Sequence, residues 1–296
     1  MPESNQTTRP INFHVARYNP ERDGKPYVQT YTVPVRPGMT VLDGLHYIKE
    51  NLDGTLAWRY SCRMGVCGSC GMLLNGHPTL ACNTQILHIA KTDLTVAPLP
   101  NFAIIRDLVP DLMTMFEKHA SLQPYIVRAD EAIINDPRGE FFQSPEELER
   151  YLQFSYCIKC GCCMAACPTL ATDAHYLGPM PLAAAQRYNV DTRDDERRKR
   201  NTQTGSAHGA FRCHYAGECS RVCPKGVDPA KAIQHLKRQL VLDYLHLARR
   251  KKPCQKLQGP GQAKPLPNIP AAPARTVEGD FPPVQRFPDD GDLITH

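Results

Sequence analysis

Cys157-Ile-Lys-Cys160-Gly-Cys162-Cys163-Met-Ala-Ala-Cys167-Pro168 has the spacing C-x2-C-x2-C-x3-C-P. That spacing gives three thiolates to one cubane iron–sulfur cluster and lends the fourth cysteine to another. So dense a group of soft ligands selects a soft metal, and a two-cluster run requires a second run elsewhere. It lies downstream, as Cys213-His-Tyr-Ala216-Gly-Glu-Cys219-Ser-Arg-Val-Cys223-Pro224, with Ala216 where the second ligand is due. Exchange of the last cysteines assigns Cys157, Cys160, Cys163 and Cys223 to a 4Fe–4S cluster. Cys167, Cys213 and Cys219 remain for the other. Without a thiolate at 216 the expected product there is a 3Fe–4S cluster. A 4Fe–4S cluster with water or another ligand on one iron is the alternative.

A third cysteine group lies nearer the N-terminus. Cys62-Arg-Met-Gly65-Val-Cys67-Gly68-Ser-Cys70 is followed at a distance by Cys82. This C-x4-C-x2-C spacing with a remote fourth cysteine is the plant-type pattern of a 2Fe–2S cluster. Gly65 and Gly68 let the loop wrap tightly, with its N–H groups turned toward sulfur. A structural zinc site is the rival reading, but zinc ligands more often come as paired C-x2-C knuckles. Thirteen cysteines, tightly grouped, in a chain with no export signal in its first residues favour metal over disulfides. Cys162 falls off the ligand register and is read as a packed thiol; Cys254 is read as free.

The segments around these motifs set the fold expectation. Residues 11–18 and 28–35 alternate apolar and polar as two strands, joined through Asn19-Pro20 and Asp23-Gly24. Thr40-Val-Leu-Asp43 is a capping box that opens a helix ending near Asn51. Gly71 to Leu80 reads as a hairpin about Asn75-Gly76, and residues 93–97 as a last strand. Strands, one helix and a cluster loop describe a β-grasp plant-type ferredoxin domain, at 1–115. From Asn101, Ile104, Ile105, Leu108, Val109, Leu112, Met113 and Phe116 form an apolar stripe, which predicts a helix kinked at Pro110. Ser144-Pro145-Glu146-Glu147 caps a helix leading into Cys157, and 179–190 is another. Residues 191–200 are dense in both charges and predict a solvated helix face, with a protein-docking surface as the rival. Interleaved acids and missing aromatics exclude a nucleic-acid patch. Asp228-Pro229 opens a helix carrying Ile233, Leu236, Leu240, Tyr244 and Leu247 and running to the basic stretch 249–252, whose cations suit a helix C-terminus. The fold class is therefore α+β: the β-grasp domain, an all-α bacterial ferredoxin-like domain at 116–252, and an extended or disordered tail at 253–296 with nine prolines.

Length and composition agree. The 296 residues suggest about two domains, and 42% hydrophobic residues suffice for real cores. With a net charge of +5 and a mean hydropathy of −0.42 the chain reads as soluble. No apolar run approaches the ~18 residues needed to cross a bilayer.

One plant-type module followed by one bacterial-type module, with the second ligand of the last run missing, resembles the iron–sulfur subunit of succinate dehydrogenase and fumarate reductase. The likeness spans about residues 11–250. It rests on Ser61-Cys-Arg-Met-Gly-Val-Cys-Gly-Ser-Cys70, Ile105-Arg-Asp-Leu-Val109, Tyr156-Cys-Ile-Lys-Cys-Gly-Cys-Cys163, Phe211-Arg-Cys-His214 and Cys223-Pro-Lys-Gly-Val-Asp-Pro229. The resemblance implies an electron relay of respiratory complex II and the tricarboxylic acid cycle, held at the cytoplasmic face of the cell membrane without a span of its own. Its implied partners are a flavoprotein with covalent FAD and the dicarboxylate site, and a membrane anchor that serves the quinone pool, with or without haem b. Electrons would pass from FAD through the 2Fe–2S, 4Fe–4S and 3Fe–4S clusters to quinone. No catalytic residue is expected on this chain. Three residues match or replace family positions near the quinone: Pro168, Thr172 (where some members carry Trp) and His214. The only tryptophan, Trp58, lies in the first domain, so more of the quinone site would fall to the anchor. Many members carry Glu where this chain has Met64, which implies a slightly raised 2Fe–2S potential. A thiol-dependent fumarate reductase subunit, a free-standing ferredoxin and a zinc-binding interaction protein are the competing functions.

Overall fold

The computed structural model describes residues 8–129 and 141–247. The tail expected at 253–296, Cys254 and the basic stretch 249–252 lie outside the described residues. Strands β1 (Arg9–Arg17) and β2 (Tyr27–Val35) pair antiparallel. In β1, Ile11, Phe13, Val15 and Arg17 are buried, alternating with partly exposed residues, so one face turns to the core as a two-residue period requires. Helix α1 (Val41–Asn51) starts from the expected capping box, Thr40 Oγ1 accepting from Asp43 N–H while the Asp43 carboxylate accepts from Thr40 N–H. It lies so close on β1 that a Cβ at Gly44 would come within 2.5 Å of the Phe13 ring. Strands β3 (Gly71–Leu74) and β4 (His77–Leu80) form the hairpin about Asn75-Gly76, both residues at positive φ. A short helix α2 (Ile86–Ile89) leads to β5 (Asp93–Ala97). The sheet order is β2-β1-β5-β3-β4, with β1 and β5 parallel and the other neighbours antiparallel.

The stripe after Asn101 is not one kinked helix. It forms a small hairpin, β6 (Ile104–Arg106) and β7 (Val109–Pro110), and then helix α3 (Met113–Ser121). Two side chains explain the break. Asn101 sits at φ 66, outside the extended conformation a helix cap needs. Its Nδ2 instead donates to the carbonyls of Met164, Ala165 and Cys167, at 3.0, 3.1 and 3.1 Å. Asp107, at φ 45 and 3% exposed, accepts from Arg17 Nε at 3.0 Å and from the backbone N–H groups of Tyr18 and Ala57. These bonds turn the chain at Asp107, and Pro110 supplies no N–H to a helix.

The remainder is helical. The elements are α4 (Pro145–Ser155), opened by the Ser144–Glu147 capping box, α5 (Cys162–Ala165), α6 (Pro168–Thr172), α7 (Pro179–Asn189), α8 (Arg197–Thr204), α9 (Glu218–Arg221) and α10 (Pro229–Tyr244). Asp228 caps α10, its carboxylate accepting from Lys231 N–H, with Pro229 at the first position. The helix stops at Tyr244 rather than running through Leu247, because the chain turns at His246, φ 54.

The charged stretch 191–200 is also a correction, because Asp191, Asp194 and Arg200 are interior while Asp195, Arg198 and Lys199 face solvent. Arg200 is 1% exposed and forms a bidentate pair with the fully buried Asp194, both N···O distances being 2.6 Å. It also donates to the carbonyls of Leu122, Gln123 and Tyr125, which ties α8 to the end of α3. Asp191, likewise buried, is held by Arg187 at 3.0 Å and Arg193 at 2.9 Å. Paired, hydrogen-bonded charges of this kind are tolerated inside a protein, where lone ones are not.

Candidate iron–sulfur sites

Cys62, Cys67, Cys70 and Cys82 come together where the loop after α1 meets the start of β3 and the end of β4. The loop wraps as its glycines suggested: Arg63, Gly65 and Gly68 all have positive φ. Gly65 N–H donates to Cys82 Sγ at 3.2 Å, and the N–H groups of Val66 and Cys67 donate to Cys62 Sγ at 3.2 and 3.3 Å. The backbone N–H groups of Met64, Cys67 and Val66 push the Cys62 thiol down to about 6. Cys70, 3% exposed, is pushed up to about 12 by burial. The site has an exposed outer lip, with Met64 71% exposed, and a dry inner wall.

Cys157, Cys160, Cys163 and Cys223 line one cavity, together with Met180, Ala183 and Val227. They come from the loop after α4, the start of α5 and the loop after α9. Cys163 is raised well above the ordinary thiol range by burial and by the neighbouring sulfurs of Cys160, Cys157, Cys219 and Cys223. Cys162, fully buried, is a packed thiol as expected, but with a polar contact that spacing could not reveal. Its S–H donates to Cys160 and holds that thiol down.

Cys167, Cys213 and Cys219 share a second cavity with Ala216 and Tyr176. Burial raises Cys167 and pushes Cys219 up to about 11. Tyr215 N–H donates to Cys213 Sγ at 3.4 Å. Pro168 and His214 stand exposed at the rim of this cavity. Thr172 is exposed on α6 and its hydroxyl is turned back to its own helix, donating to Thr169 O at 3.1 Å. Beside it Asp173 accepts from His208 and Arg212, and these bonds push its carboxyl down to about 2. Trp58 stacks with Tyr60 and meets His46 edge-on, 5.3 Å between ring centres, within the β-rich half.

The three sets are contiguous. A Cβ on Gly68 would lie 2.9 Å from Cys160 Cα, and one on Gly71 2.9 Å from Cys160 O, so the first loop rests directly on the second set. Cys163 and Cys219 are neighbours across the second and third sets. All the described cysteines are free of disulfides. Among the described residues no three His, Cys, Asp or Glu side chains converge as closely as one metal ion requires. The fit to polynuclear clusters rests on other grounds: soft thiolate donors in cages, backbone N–H groups aimed at sulfur, and apolar walls. Sequence reasoning missed Asn101, Cys162 as a donor and Tyr176. Only their placement marks them; asparagine, an off-register cysteine and a tyrosine carry no motif of their own.

Comparisons with known proteins agree with this geometry. Residues 12–117 match a family model described as a 2Fe-2S iron-sulfur cluster binding domain, and residues 153–227 one described as a 4Fe-4S dicluster domain. The chain is 48% identical over 227 residues to the fumarate reductase iron-sulfur subunit of Mycobacterium tuberculosis, covering 77% of this chain and 91% of that protein. It is 40% identical over 237 residues to the mitochondrial succinate dehydrogenase [ubiquinone] iron-sulfur subunit of Dictyostelium discoideum, covering 77% and 81%. A solved structure, the Mycobacterium smegmatis Sdh1 complex in the apo form, contains a chain that superposes with a TM-score of 0.72 at 25% identity, over 81% of this chain and 98% of that one. With both cluster-binding modules in order, two relatives matched over most of their length and the fold shared, the chain belongs to the iron–sulfur subunits of succinate dehydrogenase and fumarate reductase, the electron-transfer component of complex II.

Proposed function

We propose that this subunit relays electrons between an FAD-bearing flavoprotein and a quinone-binding membrane anchor, through a 2Fe–2S, a 4Fe–4S and a 3Fe–4S centre. Cys62, Cys67, Cys70 and Cys82 hold the first. Cys157, Cys160, Cys163 and Cys223 hold the second, and Cys167, Cys213 and Cys219 the third. Bound there, the clusters supply one-electron transfer at potentials spanning roughly −700 to +450 mV across such proteins. The observation that carries the reading is contiguity: Gly68 and Gly71 rest on Cys160, and Cys163 neighbours Cys219. The chain's own residues hold the centres in line, exclude water from the inner two and aim N–H groups at the outer sulfurs. The exposed lip about Met64 is the flavoprotein end, and the rim about Pro168, Thr172 and His214 the quinone end. No described helix is long and apolar enough to cross a membrane; the subunit is proposed to sit peripherally, at the cytoplasmic face. We take the first module to end at about 115, in the first turn of α3; the family-model match that ends at residue 117 supports this.

Electron paramagnetic resonance on the purified complex tests this. An oxidised 3Fe–4S centre has an odd electron count, whereas the oxidised 2Fe–2S and 4Fe–4S centres are silent. A signal that disappears on adding succinate, as a 2Fe–2S signal grows in, is the expected outcome. Ala216→Cys restores the missing thiolate and is expected to abolish the oxidised signal. An oxidised complex that is silent already, with iron and sulfide matching two four-iron clusters, would overturn the third assignment.

A further inference from the structure

Tyr176 is completely buried in the helical half, and its phenolic oxygen meets no nitrogen or oxygen partner; the polar group beside it is the Cys213 thiol. Orphaned buried hydroxyls are rare, because a desolvated O–H without a partner is costly. The ring lines the same cavity as Cys167, Cys213, Cys219 and Ala216. Its backbone is fixed from three sides. Tyr176 N–H donates to Asp173 O at 3.2 Å, Lys118 Nζ donates to Tyr176 O at 2.7 Å, and the next residue's N–H donates to His208 O at 2.9 Å. Behind it, a Cβ on Gly178, at φ 93, would come within 2.5 Å of the end of the Met164 side chain, so the turn that carries the ring has little room to shift. The phenol is thus held in a dry cavity whose other polar lining atoms include the three cysteine sulfurs. The acceptors within reach of the phenol are therefore sulfurs, which bind a donor best when they carry negative charge.

We infer that Tyr176 donates an O–H···S hydrogen bond into the third cluster site, to the Cys213 sulfur or an adjoining cluster sulfide, and so sets the potential of that centre. This rests on the reading that Cys167, Cys213 and Cys219 hold a cluster. Reduction adds negative charge at sulfur, so a fixed donor there favours the reduced state and raises the potential. The position suits the terminal centre of the relay: a raised potential draws electrons from the second centre. Tyr176 is a tuning residue and takes no part in covalent chemistry. The site is also where Ala216 leaves one corner without a thiolate, so each remaining sulfur carries more of the charge the protein must balance.

The test is Tyr176→Phe in the intact complex, which removes one oxygen and keeps the ring. Each centre is titrated by paramagnetic resonance against a mediator-set potential. The third centre is followed in whichever oxidation state is paramagnetic, oxidised if it holds three irons and reduced if it holds four. The expected result is a lower midpoint for the third centre, with the reduction equilibrium weakened about tenfold, equivalent to ~59 mV for one electron. The 2Fe–2S and 4Fe–4S midpoints stay in place. Fluorotyrosine at 176, a stronger donor while still protonated, is expected to shift the same midpoint upward and gives a second route should the Phe variant fold poorly. An unmoved third midpoint in both variants, or equal shifts of all three centres, would overturn the inference. Absence of any third titrating centre in the unmodified complex would instead overturn the reading on which it rests.

Discussion

The first cysteine loop and the two helical sites solve the same problem, charged sulfur in a protein, in opposite ways. Around Cys62 the solution is donors: backbone N–H groups converge on a sulfur that water also reaches, and the thiol is pushed down to about 6. Around Cys163, Cys167 and Cys219 it is burial, which raises the thiols, so that a charged sulfur there would need a bound cation to balance it. The wet, donor-rich loop needs only its own glycines. The dry sites need a rigid shell around them, and the means of rigidity is visible. Among the described residues each half buries one arginine, but Arg17 divides its bonds between the buried Asp107 and the part-exposed Asp53, whereas Arg200 directs its carboxylate pairing to Asp194 alone, both sealed.

The sharpest way to break that contrast is Arg200→Met. It leaves the Asp194 carboxylate buried without its bidentate partner, which costs about 3–5 kcal/mol. Thermal unfolding is expected to show a large fall in Tm, with the signals of the two helical centres lost ahead of the 2Fe–2S signal. Arg17→Met is expected to cost less, because water reaches Asp53 and the buried Asp107 keeps the backbone N–H groups of Tyr18 and Ala57. If the two variants melt alike, sealing is not what separates the two halves. Gly68→Ala comes next and attacks the junction. Its φ of +76 disfavours a side chain by about 1–2 kcal/mol, and overlap with Cys160 Cα adds about 1–3 kcal/mol. The denaturation midpoint is expected to fall, and electron passage from the first centre to the second to slow in freeze-quenched samples. Unchanged values would mean that the loops part freely.

Most of this was legible in the sequence because cysteine spacing, caps and strand alternation are local signals. Thr40–Asp43, Ser144–Glu147 and Asp228-Pro229 each open a helix where they stand, since a cap is satisfied within one turn. The failures were long-range. Arg17 lies ninety residues from Asp107, yet their 3.0 Å bond turns a helical stripe into a hairpin. Asn101 serves carbonyls more than sixty residues away. The charged run 191–200 looked solvated because composition counts charges and not their partners. At the sites, the structure gathers the cysteines that spacing had grouped, whereas the burial of Cys162 and Tyr176 beside them is a matter of position, which spacing does not encode.

Acid should separate the halves more gently. Burial pushes the Asp53 carboxyl up, but hydrogen bonds from Thr55, Tyr31 and Arg17 outweigh it and hold the carboxyl well below the usual carboxylate range. Such a group contributes stability that is complete above its unfolded value, about 4, and is lost as pH falls toward its folded one. Melts between pH 5 and pH 2 are therefore expected to fall for the wild type and to fall less steeply for Asp53→Asn. Parallel slopes would remove Asp53 from the account.

The smallest expected effect tests the wet end of the comparison. Met64 lies two residues after Cys62 and is 71% exposed, so a charge placed there acts on the first centre through water. Met64→Glu adds a negative charge that disfavours reduction, and at high dielectric its reach is about 1 kcal/mol or less, below ~45 mV for one electron. The 2Fe–2S midpoint is expected to drop by that order, to drop less at high salt because an exposed charge is screened, and to leave the helical centres unmoved. A drop much larger than this, or one insensitive to salt, would mean that the outer lip is drier in the complex than in the free subunit. A docked flavoprotein covering the loop would make it so. The same titration on the isolated subunit and on the complex then measures how far docking converts the first environment into the second.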